Sequence, residues 1–508
     1  MLQGTIRKYS HYFSVNAHEA RLRIAMQSYQ TEFLIEKQLT KKRGRFRMEN
    51  KRFWWRRSLR NGERAFNINE FDAFMEFMRK WGFTSEDFNV VEAIIPEADK
   101  VDLKVEGFEP WAEQVPLIDH AKGDHHQYAV TLQPGGGKTI IALFVASIFG
   151  VRFAVVTKGG YEGRWVPALY NTLGLKPEEV RSCCGAKAIV NLIGECKKKG
   201  IEAVKAVFFS IGGIRDYIKN YEAGLYEGRI CEDVPPEKLY EFLGIGFRIV
   251  DEAHEEIHAH YIADLYTNIK HSLYLTGTLI PRDEFMARRY ETFLPEKIRK
   301  SEDKFNVYVK AVEVFYYLNN PDDARYTGSQ GSYSHTTYEQ WIMKDEVRLK
   351  NWLSGVYDYI VSVWAANRVE ETKIILFAAT IELGGKMAGY FARRMPDLRV
   401  IQYKAGDPYD YLIDNDVIFA TLGKAGTAVD IPDLEQVHLT TAIDSANAYV
   451  QAFGRLRDLV KRFPNITPEF HWYTCLSIQK QVDYGKRKRD VLKPRVLGFR
   501  SEYLSKRV

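Results

Sequence analysis

Cysteine is scarce in this chain. The five residues, Cys183, Cys184, Cys196, Cys231 and Cys475, are odd in number and form no CxxC pair. That excludes a disulfide frame and a cysteine-based zinc knuckle, and it fits a reducing compartment. Long hydrophobic runs are also missing. With no stretch of eighteen apolar residues, the sequence predicts no membrane-spanning helix and no membrane partner. The opening, MLQGTIRKYSHYF, lacks the apolar stretch of a secretory leader, so a cytoplasmic location is expected. Internal repeats are absent and low-complexity sequence is rare, so no repeat architecture is expected.

What is present is an ordinary globular composition, 45% apolar over 508 residues, enough for two to four domains. The net charge of +6 is unevenly spread. Residues 1–105 are net +6 and residues 480–508 net +7, which leaves 106–479 at net −7. Basic ends around an acidic middle suggest surfaces that meet a polyanion; solvated tails are the plainer reading.

The rhythm of the chain changes near residue 106. Before it, short β-like runs surround one helical pattern, Ile68 to Trp81, where Phe71, Phe74, Met75, Phe77, Met78 and Trp81 share a face. After it, short apolar runs ending in Gly, Asp or Thr alternate with helical stretches, as in parallel α/β domains. One strand series is Tyr128–Leu132, Phe153–Val156, Ala206–Phe209, Phe247–Val250 and Leu273–Leu275. A second is Ile374–Phe377, Val400–Tyr403, Val417–Ala420 and Val437–Leu439. A polar stretch, Asn319 to Gln340, lies between them. Two parallel-sheet domains side by side would form a cleft.

Gln133-Pro-Gly-Gly-Gly-Lys-Thr139 sits between the strand YAVTL and the apolar helix TIIALFVASIF. Successive glycines, Gly135, Gly136 and Gly137, let backbone N–H groups turn inward around a phosphate, and the helix N-terminus adds partial positive charge. Lys138 would reach the β- and γ-phosphates and Thr139 would hold Mg²⁺. The long form of the motif has Gly where this chain has Leu132; the shorter form fits.

A second strand, FRIV, runs into Asp251-Glu252-Ala253-His254. Acids at the C-terminal edge of a parallel sheet lie where phosphates bind. Asp251 would hold Mg²⁺ and Glu252 would orient and deprotonate the attacking water. The same stretch contains His254-Glu255-Glu256-Ile257-His258, an HExxH match. It raises a rival reading, a zinc metalloprotease with both histidines on the metal and Glu255 as base. His120, His125 and His126 make another His-rich patch, read as a loop before a strand.

Further fragments follow in order. Leu275-Thr-Gly-Thr278 resembles the coupling motif III of superfamily 2 helicases. Val155-Val-Thr157-Lys158 with Trp165 is similar to motif Ia, without its usual proline. Phe208-Phe-Ser210 falls where motif Ib falls, and Ile375-Leu-Phe377 resembles the start of motif IV. Val417 to Thr421 with Ala428-Val429-Asp430 resembles motif V, with Ala428 where glycine is usual. Gln451-Ala-Phe-Gly-Arg455-Leu-Arg457 resembles motif VI, its arginines two apart rather than three. Gln114 matches the adenine-reading glutamine. Any one fragment is weak; their order and spacing over residues 110–460 carry the resemblance.

The resemblance implies two tandem RecA-like α/β domains after a small basic α+β domain. The boundaries are 1–105 for a nucleic-acid-binding accessory domain, 106–305 for motor domain 1, 306–344 for a connection or insertion, 345–480 for motor domain 2, and 481–508 for a basic C-terminal segment. It implies nucleic-acid-dependent ATP hydrolysis with ATP and Mg²⁺ as cofactors. Lys138, Asp251, Glu252, Gln451, Arg455 and Arg457 would be catalytic. Gln114, the three loop glycines, Lys138, Thr139 and Asp430 would contact nucleotide, and Thr139 and Asp251 the metal. Either Arg455 or Arg457 would be the finger on the γ-phosphate, with Arg457 favoured, once the second domain faces the first. Within the superfamily the order of parts resembles the UvsW-type phage DNA helicases, so branched or double-stranded DNA is the expected partner and a host-cell cytoplasm the expected site. An RNA-duplex motor is the alternative; an ATP-gated clamp that barely hydrolyses is a non-enzymatic one. Residues 41–60 hold ten Lys/Arg and one acid, with aromatics interleaved. Arg43, Arg45, Arg47, Arg56 and Arg57 would meet phosphates, Trp54 and Trp55 would stack on bases, and Thr157, Lys158 and Lys424 would touch the backbone.

Overall fold

The computed structural model describes residues 2–508 except 43–44, 58–61, 106, 108, 133–136, 278–282, 302–306, 329–330, 405, 409 and 423–430. Of residues 39–42, 45, 46, 57 and 447 it describes the backbone alone. The described residues divide into two compact units, one within residues 2–301 and the other within residues 307–508.

The first unit begins with a mixed sheet of β1 (Gly4–Lys8), β2 (Tyr12–Ala17), β5 (Arg56–Arg57), β6 (Arg64–Asn67) and β7 (Phe88–Glu92), in the order β5-β6-β2-β1-β7. The hairpin of β3 (Ile35–Lys42) and β4 (Arg45–Phe53) forms a separate two-stranded sheet. The predicted amphipathic helix is present as a 3₁₀ turn, Ile68–Glu70, and an α-helix, Phe71–Lys80. Phe74 and Met78 are its fully buried face.

An all-parallel seven-stranded sheet follows, in the order β10-β11-β9-β12-β13-β8-β14. Its strands are β8 (Gln127–Thr131), β9 (Phe153–Thr157), β10 (Val180–Cys183), β11 (Ala206–Ser210), β12 (Phe247–Val250), β13 (His271–Thr276) and β14 (Arg299–Ser301). The central strands are buried along their length, which is why they read as near-continuous apolar runs rather than alternating ones; the exception, Arg248 in β12, pairs inside with Asp264 at 2.6 Å. The basic domain shares one hydrophobic core with this sheet. Polar contacts at their junction are buried too. Glu70, 3% exposed, accepts hydrogen bonds from Tyr29 (3.2 Å), Tyr261 (2.9 Å) and Arg289. His11 Nε2 lies 2.8 Å from Ser272 Oγ on β13.

The second unit is another seven-stranded, all-parallel sheet, in the order β17-β18-β16-β19-β20-β15-β21. Its strands are β15 (Lys310–Tyr316), β16 (Lys373–Ala378), β17 (Val400–Gln402), β18 (Val417–Thr421), β19 (Leu434–Leu439), β20 (Glu469–Cys475) and β21 (Phe499–Tyr503). Two sequence boundaries look different here. Residues 306–344 hold β15, an interior strand, and 481–508 hold most of the helix Gln479–Leu492 and the edge strand β21. A glutamate interrupts the apolar run of the first, and the second is largely polar. β15 buries Glu313, which accepts from Thr474 Oγ1 at 3.1 Å. β21, FRSEY, has one side open to solvent and needs no apolar run.

Candidate active site

The C-terminal ends of β8, β12 and β13 come together on one edge of the first parallel sheet. Of the glycine loop after β8, Gly135 and Gly136 lie outside the described residues. Gly137 caps the helix Lys138–Phe149 with φ +81°, a left-handed conformation that favours glycine. A Cβ there would stand 2.6 Å from Gln114 Nε2, so the glycine also makes room for Gln114 against the loop. Gln114 is buried, and its Oε1 accepts from the Trp111 backbone N–H at 3.0 Å.

Lys138 Nζ lies 2.7 Å from Glu252 Oε1, with side-chain exposures of 5% and 16%. Asp251 is 1% exposed. Its Oδ2 accepts from Trp165 Nε1 at 2.8 Å, while its buried Oδ1 has no partner among the described residues. Thr139 Oγ1 accepts from Arg164 Nη2 at 2.8 Å. Burial, then the charge of Glu252, pushes the Asp251 carboxyl up. Burial opposes ionisation of Glu252 as well, but Lys138, His254 and Arg164 outweigh it and hold this carboxyl below its ordinary value. Glu252 has φ +49°, a strained conformation for a residue with a side chain, at the point where strand becomes turn.

His254 Nδ1 lies 3.1 Å from Thr276 Oγ1, the last residue of β13, and 3.4 Å from Glu252 Oε2. It therefore bridges the acid turn and the segment that resembles motif III, of which Thr278 lies outside the described residues. Burial lowers its pKa. The HExxH match does not become a metal site geometry. Residues 251–256 are turn, and the helix Ile257–Asp264 starts only after Glu256 at φ +51°. His258 Nε2 faces the Phe53 carbonyl oxygen at 2.9 Å, and its ring meets Trp54 edge-on. The two imidazoles thus engage different partners. Glu255 is taken by Lys158 (2.8 Å) and Tyr161 (2.9 Å). Among the described residues no group of three His, Cys, Asp or Glu is placed to hold a metal. Of the His-rich patch, His120 lies on the helix Val115–Ala121 rather than in a loop and faces the Ile298 carbonyl, and His126 faces that of Lys270.

Magnesium needs far less from protein, one or two oxygen ligands beside phosphate and water. The partnerless Oδ1 of Asp251 and the Thr139 hydroxyl on the same sheet edge fit that requirement.

The expected nucleic-acid residues divide. Arg47 is exposed on β4. The structure describes only the backbone of Arg45 and Arg57, and Arg43 and Lys424 lie outside the described residues. Trp54 and Arg56 correct the sequence reading. Trp54 is 0% exposed, packed edge-on to His258, Tyr261 and Phe285, so its ring has no free face for a base. The Arg56 guanidinium lies 2.8 Å from Glu237 and 4.0 Å over the Tyr266 ring, an internal pairing. Trp55 is half-buried and Thr157 fully buried. Lys158 retains 36% side-chain exposure beside Glu255. In the second unit, Gln451 lies on the helix Ala446–Phe453, Arg455 is buried, and Arg457 donates to the Gly454 and Leu456 carbonyls. Asp430 lies outside the described residues. Sequence reasoning missed Arg164 and the Trp165–Asp251 bond. The available signal was an Arg-Trp pair just after a strand that feeds the site.

No family model matches the chain. No curated protein matches it either. Solved structures do. The structure of Mss116p bound to ssRNA and AMP-PNP is 14% identical, covering 78% of this chain and 74% of that one, with a TM-score of 0.50. The Pyrococcus furiosus Hef helicase domain is 14% identical over 74% of this chain and 98% of that chain, at 0.44. T4 UvsW is 11% identical over 99% of this chain and 100% of that chain, at 0.38. With the first of them the chain shares the fold of two tandem RecA-like domains, preceded here by a small α/β domain with a mixed sheet.

Proposed function

We propose that this chain is an ATP-hydrolysing motor of the helicase type that works on nucleic acid. One observation carries the reading. Lys138, Thr139, Asp251 and Glu252 converge on one edge of a parallel sheet, where a buried carboxylate oxygen is left without a partner among the described residues. In this reading Lys138 exchanges Glu252 for the β- and γ-phosphates, and Glu252, released, orients the attacking water and takes its proton. Thr139 and Asp251 hold Mg²⁺, which when bound neutralises charge on the transferred phosphoryl group. Gln114, against the loop, reads adenine. Gln451, Arg455 and Arg457 serve the same reaction from the second RecA-like domain, with Asp430 on the nucleotide. His254, joined to Thr276, passes the nucleotide state to β13.

Our preferred substrate is branched or double-stranded DNA, with unwinding, annealing or branch migration as the outcome. The support is the order of domains and the basic hairpin β3–β4. RNA is the second reading, favoured by the Mss116p structure, which is bound to ssRNA. ATP turnover measured with single strand, duplex, fork, four-way junction, R-loop and RNA duplex tests both. Strongest stimulation by forks or junctions supports DNA remodelling. Strongest stimulation by RNA duplex moves the assignment to RNA, and no turnover with any of them removes the motor reading.

A further inference from the structure

The helix Glu162–Leu173 turns two consecutive side chains onto the acid cluster. Trp165 holds Asp251 through one carboxylate oxygen. Arg164, half-buried, donates from Nη2 to Thr139 Oγ1, its one hydrogen-bond partner among the described residues. A guanidinium therefore sits on one of the two groups assigned to the metal, while the next residue of the same helix holds the other. A divalent ion and a guanidinium repel, and both are drawn to the same oxygens. An arginine that yields such a place needs a new anion, and a phosphate accepts its planar fork in two parallel hydrogen bonds.

We propose that Arg164 is a second phosphate-site cation beside Lys138, which competes with the divalent ion for Thr139 and the acid pair and moves to the terminal phosphate when metal and nucleotide bind together. The proposal rests on the ATP-site reading above and adds a residue that none of the helicase-like motifs supplies.

The test uses the full chain with Arg164→Met, which keeps the aliphatic stem, and Arg164→Lys, which keeps the charge. Mn²⁺ binding without nucleotide is followed by electron paramagnetic resonance, and fluorescent ATP and ADP analogues are titrated with Mg²⁺. Removing a guanidinium from an oxygen assigned to the metal frees that oxygen and removes a repelling charge, an effect of about tenfold. The Met variant is expected to bind Mn²⁺ about tenfold more tightly than wild type and to lose its preference for ATP over ADP, with the Lys variant close to wild type in Mn²⁺ affinity. Equal Mn²⁺ affinity in all three proteins, in a wild type that binds ATP normally, overturns the role of Arg164 alone. A wild type that binds no nucleotide overturns the ATP-site reading and this inference with it.

Discussion

The indole of Trp54 meets the ring of Tyr261 edge-on, with centroids 5.1 Å apart and planes at 75°. Trp54 closes the basic hairpin, and Tyr261 belongs to the helix that starts just after the acid turn. The hairpin is thus anchored on the element that follows Asp251 and Glu252. Trp54→Ala is expected to lower the stability of the first unit by about 3–5 kcal/mol, the usual cost of emptying a buried aromatic site. Urea denaturation measures it. A stable Trp54→Ala protein that no longer binds nucleic acid would return Trp54 to the interface and contradict its burial.

Arginines nearer the start of the hairpin, of which Arg47 is exposed, should behave differently. Replacing Arg43, Arg45 and Arg47 by Ala should weaken duplex binding and flatten its salt dependence, by a slope of about 0.9 for each phosphate that is no longer neutralised. ATPase without nucleic acid should not change. Arg56→Ala, which strips the partner from Glu237, should lower stability instead. An unchanged salt slope in the triple variant would make the hairpin a solvated face.

Lys138→Ala should abolish ATP turnover in a folded protein. Glu252→Gln should still bind ATP and persist on nucleic acid. Single-turnover hydrolysis separates the two effects. Turnover at the wild-type rate in Glu252→Gln would assign the base elsewhere.

Arg455 and Arg457 should differ from Lys138 in kind. An arginine finger stabilises charge that develops during transfer and is worth about 10³–10⁵ in rate. Its substitution should cut kcat far more than ATP affinity, with the larger loss expected for Arg457→Ala. Wild-type turnover in both variants would remove the second RecA-like domain from the reaction.

In the second unit His438 and His471 stack, with ring centroids 4.2 Å apart and planes at 15°. Burial holds both neutral, lowering His471 to about 3 and His438 well below its ordinary value. Tyr359 and Glu469 face His471, the charge of Arg500 opposes its protonation, and Gln436 and Tyr473 face His438. Unfolded imidazoles titrate near 6.5. Because the folded values are depressed, the stabilisation is complete above about pH 6.5 and is lost as pH falls below it. Each imidazole then costs about 1.4 kcal/mol per pH unit. Thermal melts at pH 7 and pH 5 should show the drop, and His471→Gln should shrink it. Identical pH profiles for variant and wild type would remove His471 as the source.

The sequence alone determined most strands of the two parallel sheets and the ingredients of the site. Strands buried on both faces are mostly apolar, so FAVVT, FRIV and IILF announce themselves even though FRIV buries Arg248 against Asp264, and a phosphate loop needs glycines, lysine and a helix start that are adjacent in the chain. Local chemistry of that kind survives in a one-dimensional reading. Tertiary structure decided the rest, because burial and pairing join residues far apart in sequence. HExxH spacing looks like a zinc site until the chain turns at Glu252 and Glu256 and sends His254 and His258 to different partners. The aromatic, basic run around Trp54 looks like an interface until Tyr261 and Glu237 take Trp54 and Arg56 inside. β15 and β21 look like linker and tail because one buries a hydrogen-bonded glutamate and the other is an edge. Arg164 and Thr139 meet only because the sheet sets the helix after β9 beside the helix after β8, a proximity that no spacing along the chain encodes.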